Sequence, residues 1–192
     1  MSDVSWVVLV VRMPGEPARH RIGLWRELRR VGAVPLGQGT WALPDAAAIT
    51  PSVSTMRAHA EAAGGSLLVL RAGGANPEDT ARLEELYRAA REQDWAEFRA
   101  DCDKYLAELD HEEEIGKYTL AELDEEDHSL DRLRRWYRDL RARDLLGSPA
   151  ASEADQHLKR CVERFDAYAD AVYRRLNPTT PSGHHESGPD HD

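Results

Sequence analysis

Residues 33–43 read Ala33-Val34-Pro35-Leu36-Gly37-Gln38-Gly39-Thr40-Trp41-Ala42-Leu43. Two short apolar pieces, Ala33 to Leu36 and Thr40 to Leu43, flank a short glycine-rich linker. That pattern reads as a β-hairpin. Upstream, Trp6 to Met13 is a continuous apolar run rich in β-branched residues, long enough for a strand and too short for an independent helix. Pro14 and Gly15 close it, and Pro17 suits the first turn of a helix. In that helix Ile22, Trp25, Leu28 and Val31 recur every three residues and Leu24 broadens the stripe, with arginines on the other face. Gly32 stops the helix where a left-handed residue is easiest. Downstream of the hairpin, Pro51 to Ala62 reads as a second helix of weak periodicity, ended by Gly64-Gly65, and Ser66 to Arg71 as a further strand. The order is β-α-β-β-α-β, a split βαβ pattern with its helices on one face.

After Gly73-Gly74 the periodicity becomes helical. Asn76 is placed to cap a helix with Pro77 at its first position. Leu83, Leu86, Tyr87, Ala90, Phe98, Cys102, Tyr105 and Leu109 follow at helical spacing. Thr119-x-x-Glu122 is a capping-box pattern before Leu123, Leu130, Leu133, Tyr137 and Leu140. Gly147-Ser148-Pro149 breaks that helix, and Ser152 is expected to cap a last one carrying Leu158, Cys161, Val162, Phe165, Tyr168 and Val172. The expected fold is therefore α+β. A ferredoxin-like βαββαβ domain covers residues 1–74, a helical extension of about three helices covers 75–176, and a disordered polar tail covers 177–192.

Composition narrows the function classes. A chain of 192 residues buries a core without disulfide or metal staples, and two cysteines, Cys102 and Cys161, do not make a secreted disulfide scaffold. The start, MSDVSW, lacks the basic segment of a signal peptide, and the run from Val7 to Val11 is far short of the roughly 20 residues a spanning helix needs. A cytoplasmic protein with no membrane contact is the expectation. The net charge of −10 is uneven. Six arginines (12, 19, 21, 26, 29, 30) face only Glu16 and Glu27 between residues 12 and 31. Twenty carboxylates face six basic residues between 78 and 131. Overall acidity argues against indiscriminate nucleic-acid binding, while one basic helix permits local contact with phosphate or another anion. The acidic stretch reads first as solvated helix faces.

The ordered set Trp6-x-Val8-Leu9-Val10, Leu24-Trp25-Arg26-x-Leu28-Arg29-x-x-Gly32-Ala33 and Gly39-Thr40-Trp41-x-Leu43-Pro44 resembles the N-terminal domain of ChrB chromate-resistance proteins. The resemblance continues through Ala121-Glu122-Leu123-x-Glu125, Leu130-x-x-Leu133-Arg134-Arg135-Trp136, Arg143-Asp144 and Leu158-x-x-Cys161, and so covers roughly residues 5–176. The first part is also similar to the Cas2-like domain of PaaX-type repressors. The resemblance implies a non-catalytic protein of chromate resistance with a regulatory or sensing role in transcription. It implies promoter DNA as a partner and chromate as an effector. The other reading is a protein-interaction module, homo-oligomeric or docking a partner through its acidic helices, without DNA binding.

Arg19, Arg26, Arg29 and Arg30 are the candidate anion- or DNA-binding residues; Arg19, Arg26 and Arg30, seven and four apart, share a helical face. Such a face is most often solvated or ion-paired, next a site for DNA phosphates or an acidic partner, and least often an oxyanion sensor. Cas2-type nucleases carry an acidic residue at the end of the first strand, where this chain reads Val10-Val11-Arg12-Met13, so nuclease activity is not expected. Glu125-x-x-His128 has the spacing of di-iron bundles, which need two such motifs, and the last helix offers only Glu153 and His157, four apart. His184, His185 and His191 of the tail read as a chance metal scavenger. Both cysteines lie on apolar stripes and read as core residues. No catalytic residue, metal site or cofactor is expected, and the chain is read as no enzyme.

Overall fold

The computed structural model describes residues 4–14 and 18–177, so the expectations for Pro17 and the tail histidines lie outside the described residues. β1 (Trp6–Arg12), β2 (Val34–Gly37), β3 (Thr40–Pro44) and β4 (Ser66–Ala72) form one antiparallel sheet in the order β2-β3-β1-β4. α1 (Ala18–Arg30) joins β1 to β2; a 3-10 turn (Ala47–Ile49) and α2 (Thr50–Ala62) join β3 to β4. The strand-helix order matches the sequence reading, with ends shifted by a residue or two. In the register Leu9 stands opposite Trp41 and Val69, and Val7 opposite Leu43 and Arg71. Side chains directly opposite on one face pack as pairs, and β-branched and aromatic residues fit that pleated surface. The β2-β3 turn needs its glycines. Gly39 has φ +80°, and a Cβ there would meet the Val11 carbonyl oxygen at 2.5 Å.

One face of α1 enters the core through Leu24, Leu28 and Val31, which pack with Leu9, Leu43, Met56 and Ala60. The three-residue stripe expected on this helix is therefore corrected. Ile22 and Trp25 are 47% and 48% exposed. At about 100° per residue, stepping by four and then three keeps 24, 28 and 31 on one line, whereas Trp25 lies a quarter-turn away and Ile22 nearly opposite. They border an open groove of about 740 Å3 shared with Trp41 and Met13.

The remaining helices are α3 (Pro77–Glu114), α4 (Leu120–Arg143) and α5 (Ala150–Leu176). Asn76 caps α3, its side-chain oxygen accepting from the Asp79 N–H at 2.8 Å. Thr119 caps α4 by accepting from the Glu122 N–H at 3.2 Å, while the Glu122 carboxylate pairs with Lys117 at 3.0 Å. Ser152 does not cap α5. Ser148 is the residue that does so: its hydroxyl accepts from the Ala150 N–H at 3.2 Å and its carbonyl from the Ala151 N–H at 3.1 Å. Pro149 follows the capping serine without disrupting it because its missing N–H falls where the helix has no acceptor for one. Leu86, expected on the stripe of α3, is 43% exposed.

α3 serves two cores. Its Tyr87 packs edge-on against Trp6 of the sheet, with ring centroids 5.9 Å apart. Its later residues Trp95, Phe98, Cys102, Tyr105 and Leu109 join α4 and α5 in a second cluster, where Phe98 meets Trp136 and Tyr137 at 5.4 and 5.7 Å. Among the described residues no helix is long and apolar enough to cross a membrane.

Candidate anion-binding site

The two cores meet where the end of α1, the middle of α3 and the end of α4 come together. Gly32, just past α1, has φ +77°, and a Cβ there would lie 2.6 Å from Arg91 Nη1 and 2.8 Å from the Arg143 carbonyl oxygen. Only glycine allows both the left-handed turn and this close approach. Arg91 Nη1 donates to the Gly32 carbonyl at 2.8 Å, and its guanidinium lies over the Tyr87 ring at 4.9 Å. The Tyr87 hydroxyl donates to the Arg143 carbonyl and accepts from the Leu145 N–H at 3.2 Å. Tyr87 thus closes the last turn of α4, whose terminal carbonyls have no partner within the helix. Next to it the Asp144 carboxylate accepts from Trp95 Nε1–H at 3.0 Å and from the Ser148 N–H at 2.9 Å.

At the centre of this joint three guanidiniums converge on one carboxylate. Asp94 is approached by Arg91 at 3.0 Å, Arg143 at 3.4 Å and Arg29 at 3.9 Å. Asp94 and Arg91 are buried, Arg143 is nearly so, and Arg29 is half-exposed. Burial pushes the Arg143 guanidinium below its usual pKa, and the Asp94 charge acts against that. Arg143 Nη1 donates to the Arg29 carbonyl at 3.2 Å, while its Nε is buried without a hydrogen-bond partner. The cluster borders a cavity of about 270 Å3 that Trp25, Trp41, Gln93 and Glu97 also line. Three cations against the carboxylates of Asp94 and Glu97 leave one surplus positive charge at the wall of that cavity, and a partly desolvated guanidinium attracts anions more strongly than a solvated one.

The four arginines read from the sequence part company here. Arg29 turns to the joint, its guanidinium 5.3 Å from the Trp25 ring centroid. Arg30 is engaged by Glu27 at 2.7 Å and by the Ser52 hydroxyl at 3.1 Å, across the packing of α1 on α2. Arg19 is exposed beside His20, and Arg26 is exposed. The face expected to present Arg19, Arg26 and Arg30 together thus has its last member tied down. Sequence reasoning missed Arg91 and Asp94. Arg143-Asp144 stood in the quoted pattern without a role; a buried ion cluster of members far apart in sequence leaves no periodic trace.

The other sequence candidates are placed as follows. Glu125 and His128 are both exposed, with His128 Nδ1 2.6 Å from the Asp124 carbonyl of its own helix. His157 faces Asp103 at 3.6 Å, and Glu153 pairs with Arg99 at 3.4 Å. Among the described residues no group of three or more His, Cys, Asp or Glu is arranged to hold a metal ion. Cys102 and Cys161 are fully buried in the second core.

Comparison with known proteins adds one relative and one family. Over 119 residues the chain is 23% identical to Protein ChrB of Cupriavidus metallidurans (strain ATCC 43123 / DSM 2839 / NBRC 102507 / CH34), which covers 62% of this chain and 36% of that protein. The chain thus spans little more than a third of this relative's length. The family model described as "Protein ChrB, N-terminal" matches residues 21–179, a stretch that holds all of α1 but its first three residues, the hairpin, the four residues of the ion cluster and the three long helices. The chain belongs to the ChrB N-terminal family.

Proposed function

We propose that this protein acts in chromate resistance as a non-catalytic regulatory protein that contacts promoter DNA and takes chromate as its effector. The observation that carries the reading is the convergence of Arg29, Arg91 and Arg143 on Asp94 beside an open cavity, at the joint between sheet and helices. A compact dianion suits a site with surplus guanidinium donors. α1 links the two roles: Arg29 belongs to the joint, while Arg19 and Arg26, exposed on the same helix, are free to meet phosphates. An anion held at the joint would bias the position of α1 and with it the DNA contact. We further read the sheet as ferredoxin-like, supported by β3 lying between β1 and β2. The division into a domain over 1–74 and a helical region over 75–176 is supported by the two separate cores.

The test is binding to the promoter region of its own operon, with and without chromate, at two salt concentrations. The expected result is salt-sensitive binding weakened by Arg26→Ala and released by chromate, with Arg29→Ala losing the release. Absence of binding under every condition sinks the DNA reading.

A second reading is favoured by a different observation. Ile115, Leu120, Tyr173 and Leu176 are each 46–58% exposed at one end of the helical region, where α3 and α5 finish and α4 begins. An apolar end of this kind suits docking of a partner or a second copy. Concentration-dependent association in sedimentation, abolished by Leu120→Glu and Leu176→Glu and unaccompanied by DNA binding, would select it over the first.

A further inference from the structure

Cys102 on α3 and Cys161 on α5 stand 59 residues apart in sequence, yet meet in the interface between the two helices. Cys161 Sγ donates to the Cys102 carbonyl oxygen at 3.6 Å, which brings the two residues together where α5 packs on α3. Both are fully buried in the aromatic second core. A single cysteine there would be a small hydrophobe. Two in contact across a helix interface are the reactants of a disulfide, already on facing elements.

We propose that Cys102 and Cys161 form a redox-modified pair, closed to an intrachain disulfide by a hydroperoxide, which staples α5 to α3. This is independent of the anion reading. The surroundings of the two thiols differ. Cys161 is held below the usual thiol pKa, first by its closeness to the Cys102 thiol, with the Arg160 charge helping against burial. Cys102 is raised, first by the same interaction and then by burial. Cys161, the thiol that follows Arg160 in the chain, is the attacking sulfur of this proposal and Cys102 the resolving one, since a neighbouring cation favours the thiolate and the thiolate is the nucleophile.

In the first step the Cys161 thiolate attacks the distal peroxide oxygen. An S–O bond forms, the O–O bond breaks, and the alkoxide leaves as an alcohol after taking a proton; sulfur is oxidised by two electrons and the peroxide reduced by two. In the second step Cys102 sulfur, giving up its proton, displaces the hydroxyl from Cys161. The S–S bond forms, the S–O bond breaks and water leaves. The sum is two thiols and one hydroperoxide to one disulfide, one alcohol and one water. With hydrogen peroxide as the oxidant, the alcohol is a second water. Access for the oxidant comes from local opening of α5 from α3, an event that folded proteins undergo well below the free energy of global unfolding.

The experiment treats the reduced full chain with hydrogen peroxide under native conditions, followed by mass spectrometry of the intact protein and of its unreduced digest. The expected product is a monomer lighter by about 2 Da, with a cross-linked peptide joining Cys102 to Cys161. Its unfolding midpoint is expected to rise by roughly 5 °C or more, and the gain to vanish with reductant, because the bridge closes a long loop of the unfolded chain. Cys102→Ala should trap the sulfenic acid on Cys161, detected by a dimedone adduct, whereas Cys161→Ala should leave Cys102 unlabelled. Failure of the cross-linked peptide to form in the folded wild-type chain, its formation only in denaturant, or disulfides only between two chains would each overturn the proposal.

Discussion

The sheet core and the helical core are built on different terms. Around the sheet the buried residues are apolar, and Ser52 is the one buried polar residue among the described residues of β1 to β4, α1 and α2. The helices bury Arg91, Asp94, Glu112 and Glu126 as well as the two thiols. Apolar packing gains free energy roughly in proportion to area and tolerates small changes of shape. A buried charge instead depends on particular partners, and removing one partner strands the other. The difference places the stability that depends on particular charged partners at the joint and in the helices, while the sheet supplies a frame.

The largest break in this comparison is expected at Asp94. Asp94→Ala leaves Arg91 and Arg143 buried without their ion-pair partner, and unfolding by urea should show a loss of about 3–5 kcal/mol. Val7→Ala, which removes apolar volume from the sheet core alone, should cost about 1–3 kcal/mol by transfer and cavity formation. If Asp94→Ala proves as mild as Val7→Ala, the ion cluster is not what joins the two cores.

Glu126 sharpens the comparison through pH. Its carboxyl is 2% exposed and its Oε2 has no hydrogen-bond partner. Burial, followed by the charges of Glu108, Glu125, Glu112 and Glu122, raises its pKa to about 7 from the usual 4.5. The folded state therefore holds this proton more tightly than the unfolded state. The resulting stabilisation is fully present below about pH 4.5, declines as pH rises and is gone above about pH 7. Glu126→Gln should flatten that part of the stability profile and be more stable than the parent at pH 8, by up to about 3 kcal/mol. Urea titrations of both proteins at pH 5 and pH 8 measure it; equal slopes with pH would show that Glu126 titrates normally.

How far the sequence could be read follows the same division. The succession of strands and helices along the chain, the hairpin at Gly37-Gln38-Gly39, Asn76 as a cap and Thr119 as a cap were all legible, because each rests on neighbours within a few residues. The stripe on α1 was misread because spacing by three fits Ile22 and Trp25 as well as spacing by four fits Leu24 and Leu28, and only the sheet's position chooses between them. Ser152 was expected to cap the last helix, yet Ser148 holds the free N–H groups. At the site, Arg29 was found and its partners were not. Asp94 lies in an acidic stretch where nothing local separates it from its solvated neighbours, and Arg143 reaches Arg29 across 114 residues.

The smallest effect expected is at Arg30, which tests whether burial, rather than residue type, separates the two kinds of arginine. Arg30 has the shorter ion pair, 2.7 Å to Glu27, against 3.4 Å for Arg143 to Asp94. Distance alone would therefore rank Arg30 the more important. Its side chain is 57% exposed, however, so water and salt screen the pair, and ordering two side chains offsets much of what remains. Arg30→Ala should cost less than about 1 kcal/mol, and less still in high salt. The hydrogen bond to Ser52 is the one feature that would raise this figure, since Ser52 is itself buried on α2. Combining Arg30→Ala with Ser52→Ala separates the two contributions. If the double variant is no worse than either single one, the bridge between α1 and α2 carries the effect and the Glu27 pair adds nothing. If the losses add, Arg30 acts through its charge, and the contrast between a screened surface and a buried joint would have to be redrawn.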